Sequence, residues 1–307
     1  SETVINNSYN ARLDSFSDRI IRGEILSSDR TVLAKTNVAE DGTEVREYPY
    51  GSLFAHVVGY SDQGKTGLES LANFYLLSSH MNLVEQAVNE LSDVKNLGDQ
   101  VVTTLDVQLQ QAASDALGDR KGAVVVMEPD TGKILAMVSK PGFDPNQLSS
   151  QWESLISGDN TEAQLLNRAS QGLYPPGSTF KIVTLLEYIR EHPDTWEGFT
   201  FDCDGSYEYG DYKISCYHGT AHGHQSLLQA FANSCNGAFA SLGLTMDLER
   251  MKRTTDELLF NRDLPLSLAY SKSSFAMGTG ASDWERLQTS ALKSLPSGPV
   301  ANCAGTA

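Results

Sequence analysis

The hydrophobic positions change rhythm several times along the chain. Over residues 1–20 they are widely spaced (Val4, Ile5, Leu13, Phe16, Ile20) among polar neighbours, the pattern of an amphipathic lead-in helix. From residue 22 to 60 short apolar pieces such as Ile25-Leu26, Val32-Leu33-Ala34 and Val57-Val58 alternate with Gly, Asp, Ser and Pro, which predicts short strands joined by turns. Over 68–95 the spacing of Leu68, Leu71, Phe74, Leu83, Val84, Val88 and Leu91 predicts helix. The turn cluster Asn96-Leu97-Gly98-Asp99 follows and divides the chain into a small β-rich part, 1–96, and a larger part, 97–307.

The larger part opens with a strand over 100–105, and Asp106 stands where the N-cap of a helix over 107–117 belongs. The apolar run 122–127, the turn Glu128-Pro129-Asp130-Thr131-Gly132 and the run 133–139 predict a hairpin. Its β-branched first strand suggests a sheet covered on both faces. Helices are expected over about 180–190 and 227–242, so this part reads as α+β, an antiparallel sheet with flanking helices.

Composition narrows the function. The 307 residues carry 23 Lys+Arg against 39 Asp+Glu, a net charge of −16, which argues against nucleic acid as a partner. Apolar residues reach 40%, enough for folded cores. No run approaches the roughly 18 apolar residues of a membrane helix, and Ser1 does not open a signal-peptide pattern. Four cysteines leave room for one disulfide, one metal site or buried thiols.

The candidate chemistry begins at Ser178-Thr179-Phe180-Lys181, directly after Tyr174-Pro175-Pro176-Gly177. Prolines and glycine end an extended segment there, so Ser178 falls at a helix N-terminus with Lys181 three residues on, on the same face and within hydrogen-bond reach. A serine hydroxyl becomes a nucleophile when a neighbour takes its proton, and a lysine can do so once burial lowers its pKa. The helix N-terminus favours charge developing on the attacked group. By itself Ser-x-x-Lys is a common chance pattern. Ser234-Cys235-Asn236 lies 56 residues after Ser178 and adds a hydroxyl that can relay a proton and an amide that can hold substrate and lysine together, although Ser and Asn are also ordinary turn residues.

Together these motifs resemble those of the penicillin-binding proteins. Asn167-Arg168-Ala169 followed by Tyr174–Lys181 is similar to that family's acylation segment, 122–145 to its first hairpin, and 98–110 to the start of its catalytic domain. Arg22-Gly23-Glu24-Ile25, Arg46-x-Tyr48-Pro49 and Gly64-x-x-Gly67-Leu68-Glu69 resemble its non-catalytic pedestal. The resemblance covers about residues 20–270, without a glycosyltransferase segment, which points to the monofunctional class B branch. It implies a penicillin-binding/serine β-lactamase-like transpeptidase domain behind a small β-rich pedestal.

Lys65-Thr66-Gly67 spells the family's third active-site motif but lies 113 residues before Ser178, inside the pedestal, and reads as a coincidence in a turn. No such triplet follows Asn236. From about residue 280 the resemblance fades, and 288–307 is rich in Ser, Pro, Gly and Ala. The expectation is therefore a catalytic domain lacking its C-terminal part, with a non-native tail and impaired acylation.

The resemblance implies a serine-type D,D-transpeptidase that cross-links peptidoglycan stem peptides. Ser178 would be the nucleophile, Lys181 its base, Ser234 the proton shuttle and Asn236 the group orienting substrate and Lys181. β-Lactams would acylate Ser178, and no cofactor would be required. Cell-wall synthesis machinery would be the partner, at the extracytoplasmic face of the bacterial membrane, with an N-terminal anchor absent from this chain. A β-lactamase or β-lactam sensor shares Ser-x-x-Lys, but β-lactamases lack a pedestal; a non-catalytic scaffold is the third reading.

Cys203, Cys216, His222 and Cys235 fall between the two catalytic motifs. Cysteine and histidine are ligands that tetrahedral zinc prefers. Some members of the family hold a structural zinc with ligands at the positions matching His222 and Cys235, but with carboxylates at the first two. A Cys203–Cys216 disulfide is the alternative, and His218 and His224 are near enough to replace His222.

Overall fold

The computed structural model describes residues 19–80, 88–89, 91–92, 94–278, 280–291 and the backbone of 301–304. The helix expected over 1–20 lies almost wholly outside this range. The chain forms two compact units, residues 1–172 with Leu266–Tyr270, and 173–265 with the segment that begins at Ser271. This division falls well after the 96/97 boundary suggested by the turn cluster.

The first unit begins with β1 (Ile20–Ile21), β2 (Ile25–Leu26), β3 (Val32–Val38) and β4 (Glu44–Glu47). Three short helices follow, α1 (Ala55–Val58), α2 (Gly67–Leu71) and α3 (Asn73–Leu76). Thus the helix expected over 68–95 is interrupted: Ala72 separates two short pieces and the chain turns at Leu77, while among the described residues further on Val88, Asn89 and Leu91 are helical. Then come β5 (Asn96–Leu97), β6 (Val101–Val102), α4 (Val107–Leu117), β7 (Gly122–Met127), β8 (Ile134–Lys140) and α5 (Leu148–Ile156).

Strands pair in the order β4-β3-β2-β6, with β2 parallel to β6, and β1 pairs with β5. Asp106 caps α4 by accepting from the Leu109 N–H, as its position predicts. The β7–β8 hairpin forms with Val125 opposite Met137. β7 is only half-buried, whereas the middle of β8 is buried, so the first strand is not covered on both faces. Its apolar run reflects β propensity as much as burial. The largest core here gathers Ile25, Leu33, Val57, Leu76, Leu105 and Met137.

Three pedestal segments meet inside this unit. Arg22 donates from Nε to Glu69 Oε2 at 2.6 Å, and Arg46 donates from Nε to Glu69 Oε1 at 2.8 Å. Glu69 is fully buried. A cavity of about 650 Å³ lies in the same unit, with His56, Phe143, Asn167 and residues 267–269 in its walls.

The second unit contains β9 (Leu173–Tyr174), α6 (Lys181–Glu191), β10 (Thr200–Cys203), β11 (Ser206–Tyr209), β12 (Tyr212–Ser215) and β13 (Gly223–Ser226). After these come α7 (Leu227–Ala232), α8 (Asn236–Thr245), α9 (Leu248–Glu257), β14 (Ser274–Phe275), α10 (Asp283–Ala291) and β15 (Ala301–Ala304). β10 pairs with β13 and β11 with β12, all antiparallel. The helix expected over 227–242 is two helices broken at 233–235. Residues 288–291, expected to lack periodic structure, belong to α10.

α8 is apolar around its whole circumference, which places it inside the core rather than on the surface. Phe180, Phe239, Leu242, Met251 and Leu287 pack in that core. Gly243 lets α10 approach closely: a Cβ there would lie 2.2 Å from Ser290 Oγ.

Candidate active site

Ser178 is exposed, in the 3₁₀ turn Gly177–Phe180 that leads into α6. The turn is anchored by Phe180, which is buried and stacks on Phe275 with ring centroids 5.4 Å apart. Lys181, the first residue of α6, is 1% exposed. Its Nζ donates to Ser234 O at 2.7 Å, Ser234 Oγ at 3.0 Å and Asn236 Oδ1 at 2.6 Å. These use all three ammonium donors. The sequence places Ser178 within reach of Lys181, but here the three ammonium donors go to Ser234 and Asn236 and none goes to Ser178.

The break between α7 and α8 places those acceptors. The Ser234 N–H donates to Phe231 O and the Cys235 N–H to Ala230 O, both at 2.9 Å, the paired bonds of a Schellman motif. Ser234 occupies its left-handed position with φ 49°, where glycine is usual. That conformation turns both the carbonyl and the hydroxyl of Ser234 toward Lys181. Asn236 starts α8, and its Nδ2 donates to Ser215 O at 3.0 Å, so Oδ1 is the atom presented to the ammonium.

Burial pushes the Lys181 pKa down to about 8, the nearby Cys235 and Cys216 acting in the opposite sense. The Phe239 ring lies beneath Nζ, 5.6 Å from centroid to nitrogen. Phe239 and the Ser215 carbonyl were not singled out in the sequence. Phe239 could have been found from its position three residues after Asn236 on one helix face; a backbone carbonyl leaves no signature in sequence.

Cys203, Cys216, His222 and Cys235 converge beside this site, their ligand atoms all within 4.8 Å of one another. Cys216 Sγ is 3.7 Å from both Cys203 Sγ and Cys235 Sγ, and Cys203 Sγ is 3.3 Å from His222 Nδ1. All three thiols are free. Burial raises the Cys235 thiol to about 12; in Cys203 burial also acts upward, but hydrogen bonds from His222 and the Gly205 backbone bring it down to about 7. His224 pairs instead with Asp202, and His218 is exposed outside the cluster. Cys235 also caps α8, accepting from the Ala238 N–H, so the cluster and the Ser234-x-Asn236 motif share one residue.

Lys65-Thr66-Gly67 belongs to the first unit, where Gly67 begins α2 with a positive φ and packs against the backbone of 57–59.

Residues 122–290 match the penicillin binding protein transpeptidase domain, and residues 22–101 match the penicillin binding protein A dimerisation domain. The peptidoglycan D,D-transpeptidase PbpA of Mycolicibacterium smegmatis is 34% identical over 261 residues, covering 78% of this chain and 52% of that protein. MrdA of Escherichia coli, also a peptidoglycan D,D-transpeptidase, is 28% identical over 274 residues, covering 76% of this chain and 42% of its own. Among solved structures, the imipenem acyl-enzyme complex of penicillin-binding protein A from M. tuberculosis superposes with a TM-score of 0.80 at 28% identity, over 93% of this chain and 68% of that one. The D,D-transpeptidase domain from Eggerthella lenta gives 0.76 at 35% identity, over 89% and 62%. The chain spans about half the length of the curated relatives it matches.

Proposed function

The chain belongs to the penicillin-binding protein transpeptidase family, and from that premise we propose that its second unit carries a serine D,D-transpeptidase centre acting on peptidoglycan stem peptides. The observation that carries this reading is the convergence of a buried lysine with Ser234 and Asn236, one helical turn after an exposed serine. Ser178 Oγ attacks the carbonyl of the penultimate D-Ala as its proton passes to neutral Lys181. Nζ then releases a proton through Ser234, whose hydroxyl can both donate and accept, to the departing D-Ala amine. An amine from a neighbouring stem peptide attacks the acyl-enzyme, closes the cross-link and frees Ser178. A β-lactam enters the first half of this sequence, its ring opening on Ser178 Oγ without releasing a separate leaving group.

Asn236 keeps the lysine in place and offers its amide beside the acyl site. The reaction belongs to the extracytoplasmic face of a bacterial membrane, in company with cell-wall synthesis machinery. No described helix is long and apolar enough to cross a membrane. The pedestal match over 22–101 favours this reading over a β-lactamase. Fluorescent penicillin and intact-protein mass spectrometry test it: the full-length protein acquires one stable adduct and Ser178→Ala acquires none. An adduct that persists in Ser178→Ala rules out the assigned nucleophile.

The same unit is suited to a structural zinc held by Cys203, Cys216, His222 and Cys235. With Zn–S bonds of about 2.3 Å, the sulfur–sulfur edge of a tetrahedron is about 3.8 Å, against 3.7 Å for two of the thiol pairs. A disulfide needs its sulfurs at about 2.05 Å. Four protein ligands close the coordination sphere, so the ion would supply a cross-link between the hairpins and the α8 N-terminus.

A further inference from the structure

The Lys181 ammonium is held by groups that carry no charge. Its Nζ donates to a carbonyl, a hydroxyl and an amide oxygen, Ser234 O, Ser234 Oγ and Asn236 Oδ1. Beneath it lies the face of the Phe239 ring, 5.6 Å from nitrogen to centroid. That is inside the distance of about 6 Å at which the negative face of an aromatic ring attracts a cation. Lys181 is 1% exposed and Phe239 is 0% exposed, so little water is present to weaken the attraction.

The same helix supplies both the amide and the ring. Asn236 and Phe239 stand three residues apart on α8 and therefore share a face. The Phe239 ring is packed in the core of the second unit, its centroid 6.2 Å from that of Phe231. Burial alone would be served by leucine or methionine at this position; a π face under a buried amine does something more.

We propose that Phe239 is a positioning residue for acylation, its ring stabilising the ammonium that forms on Lys181 as Ser178 attacks. The inference rests on the transpeptidase reading above. As Ser178 Oγ bonds to the carbonyl carbon, the carbonyl π electrons move to oxygen, the Oγ–H bond breaks and an N–H bond forms at Nζ. A neutral amine thus becomes a cation in a dry site, where a fixed ring face counts most in the transition state. Substrate binding, which precedes this charge, gains nothing from the ring.

The experiment replaces Phe239 in the full-length protein with para-fluoro-, difluoro- and pentafluorophenylalanine, which keep the shape of the ring and progressively remove its negative face. Cys216 and Cys235 lie near enough to act on Lys181 when ionised, so zinc content is held equal across the samples. Stopped-flow acylation by a fluorescent penicillin at about pH 9 separates the binding constant from the acylation rate constant. The rate constant should fall stepwise with fluorine number, by about tenfold at pentafluorophenylalanine, with binding and melting temperature unchanged. Phe239→Leu should fall as far; should it fail to fold, the fluorinated series decides. Pentafluorophenylalanine at Phe199, which packs against Tyr188, should leave the rate constant unchanged. A rate constant indifferent to fluorine at Phe239, a loss that follows melting temperature instead of fluorine number, or an equal loss at Phe199 overturns the role of the ring while the transpeptidase reading stands. Failure of the unsubstituted full-length protein to form an adduct overturns that reading and the proposal with it.

Discussion

Lys181 illustrates how burial turns a common side chain into a base. An amine with a pKa of 10.5 is neutral in about one molecule in three thousand at pH 7, and one with a pKa of about 8 in about one in ten. The neutral form is the one that takes the Ser178 proton, so acylation should accelerate as pH rises, by close to tenfold per unit below pH 7, and level off above about 8. Stopped-flow acylation by a fluorescent penicillin between pH 6 and 9 gives this profile directly; a rate independent of pH below 8 excludes Lys181 as the base. Lys181→Arg keeps the charge and loses the base, and should reduce acylation by more than about a hundredfold. The letters Ser-x-x-Lys and Ser-x-Asn were legible in the sequence. What they do to each other was not: the lysine is held by Ser234 and Asn236 rather than by Ser178, a choice made by acceptors brought from 53 and 55 residues away.

At the scale of elements, the informative feature is the break between α7 and α8. Apolar residues continue through Phe231, Cys235, Ala238 and Phe239, so periodicity alone extends one helix across it. A Schellman motif is normally announced by glycine, and here Ser234 occupies that position at φ 49°. Ser234→Gly and Ser234→Ala both remove the hydroxyl and should both impair acylation. Their stabilities should differ in the order opposite to helix propensity, with the glycine variant more stable by about 1 kcal/mol because it adopts the left-handed conformation freely. Thermal denaturation of the pair measures this; an alanine variant at least as stable would show that the position is not strained. By contrast, α4 begins where Asp106 predicts and the β7–β8 hairpin turns at Pro129–Gly132, because the local chemistry of capping and turning is written in the residues themselves. The run over 68–95 misleads in the other direction: its helical spacing is real around Leu68 and Leu71 and again at Val88 and Leu91, but the chain turns at Leu77 to meet the strands.

For the molecule as a whole, the Cys203–Cys216–His222–Cys235 cluster should act as a staple. Protein purified without chelator should carry about one equivalent of zinc, and its removal should lower the melting temperature by several degrees as the hairpins lose their tie to α8. Metal analysis with thiol counting decides the matter: no zinc together with a count two thiols short of the reduced protein favours a disulfide instead. The two compact units are not simply consecutive in the chain. Leu266–Tyr270 belongs to the first, where Leu268 packs on its core and Ala269 O accepts from Ser170 Oγ at 2.8 Å. Residues 267–269 also wall the cavity that contains His56 and Phe143. During synthesis, which runs from the N-terminus, the first unit therefore waits for a piece of itself until the whole of 173–265 has been made, and until then the wall that 267–269 give that cavity is missing.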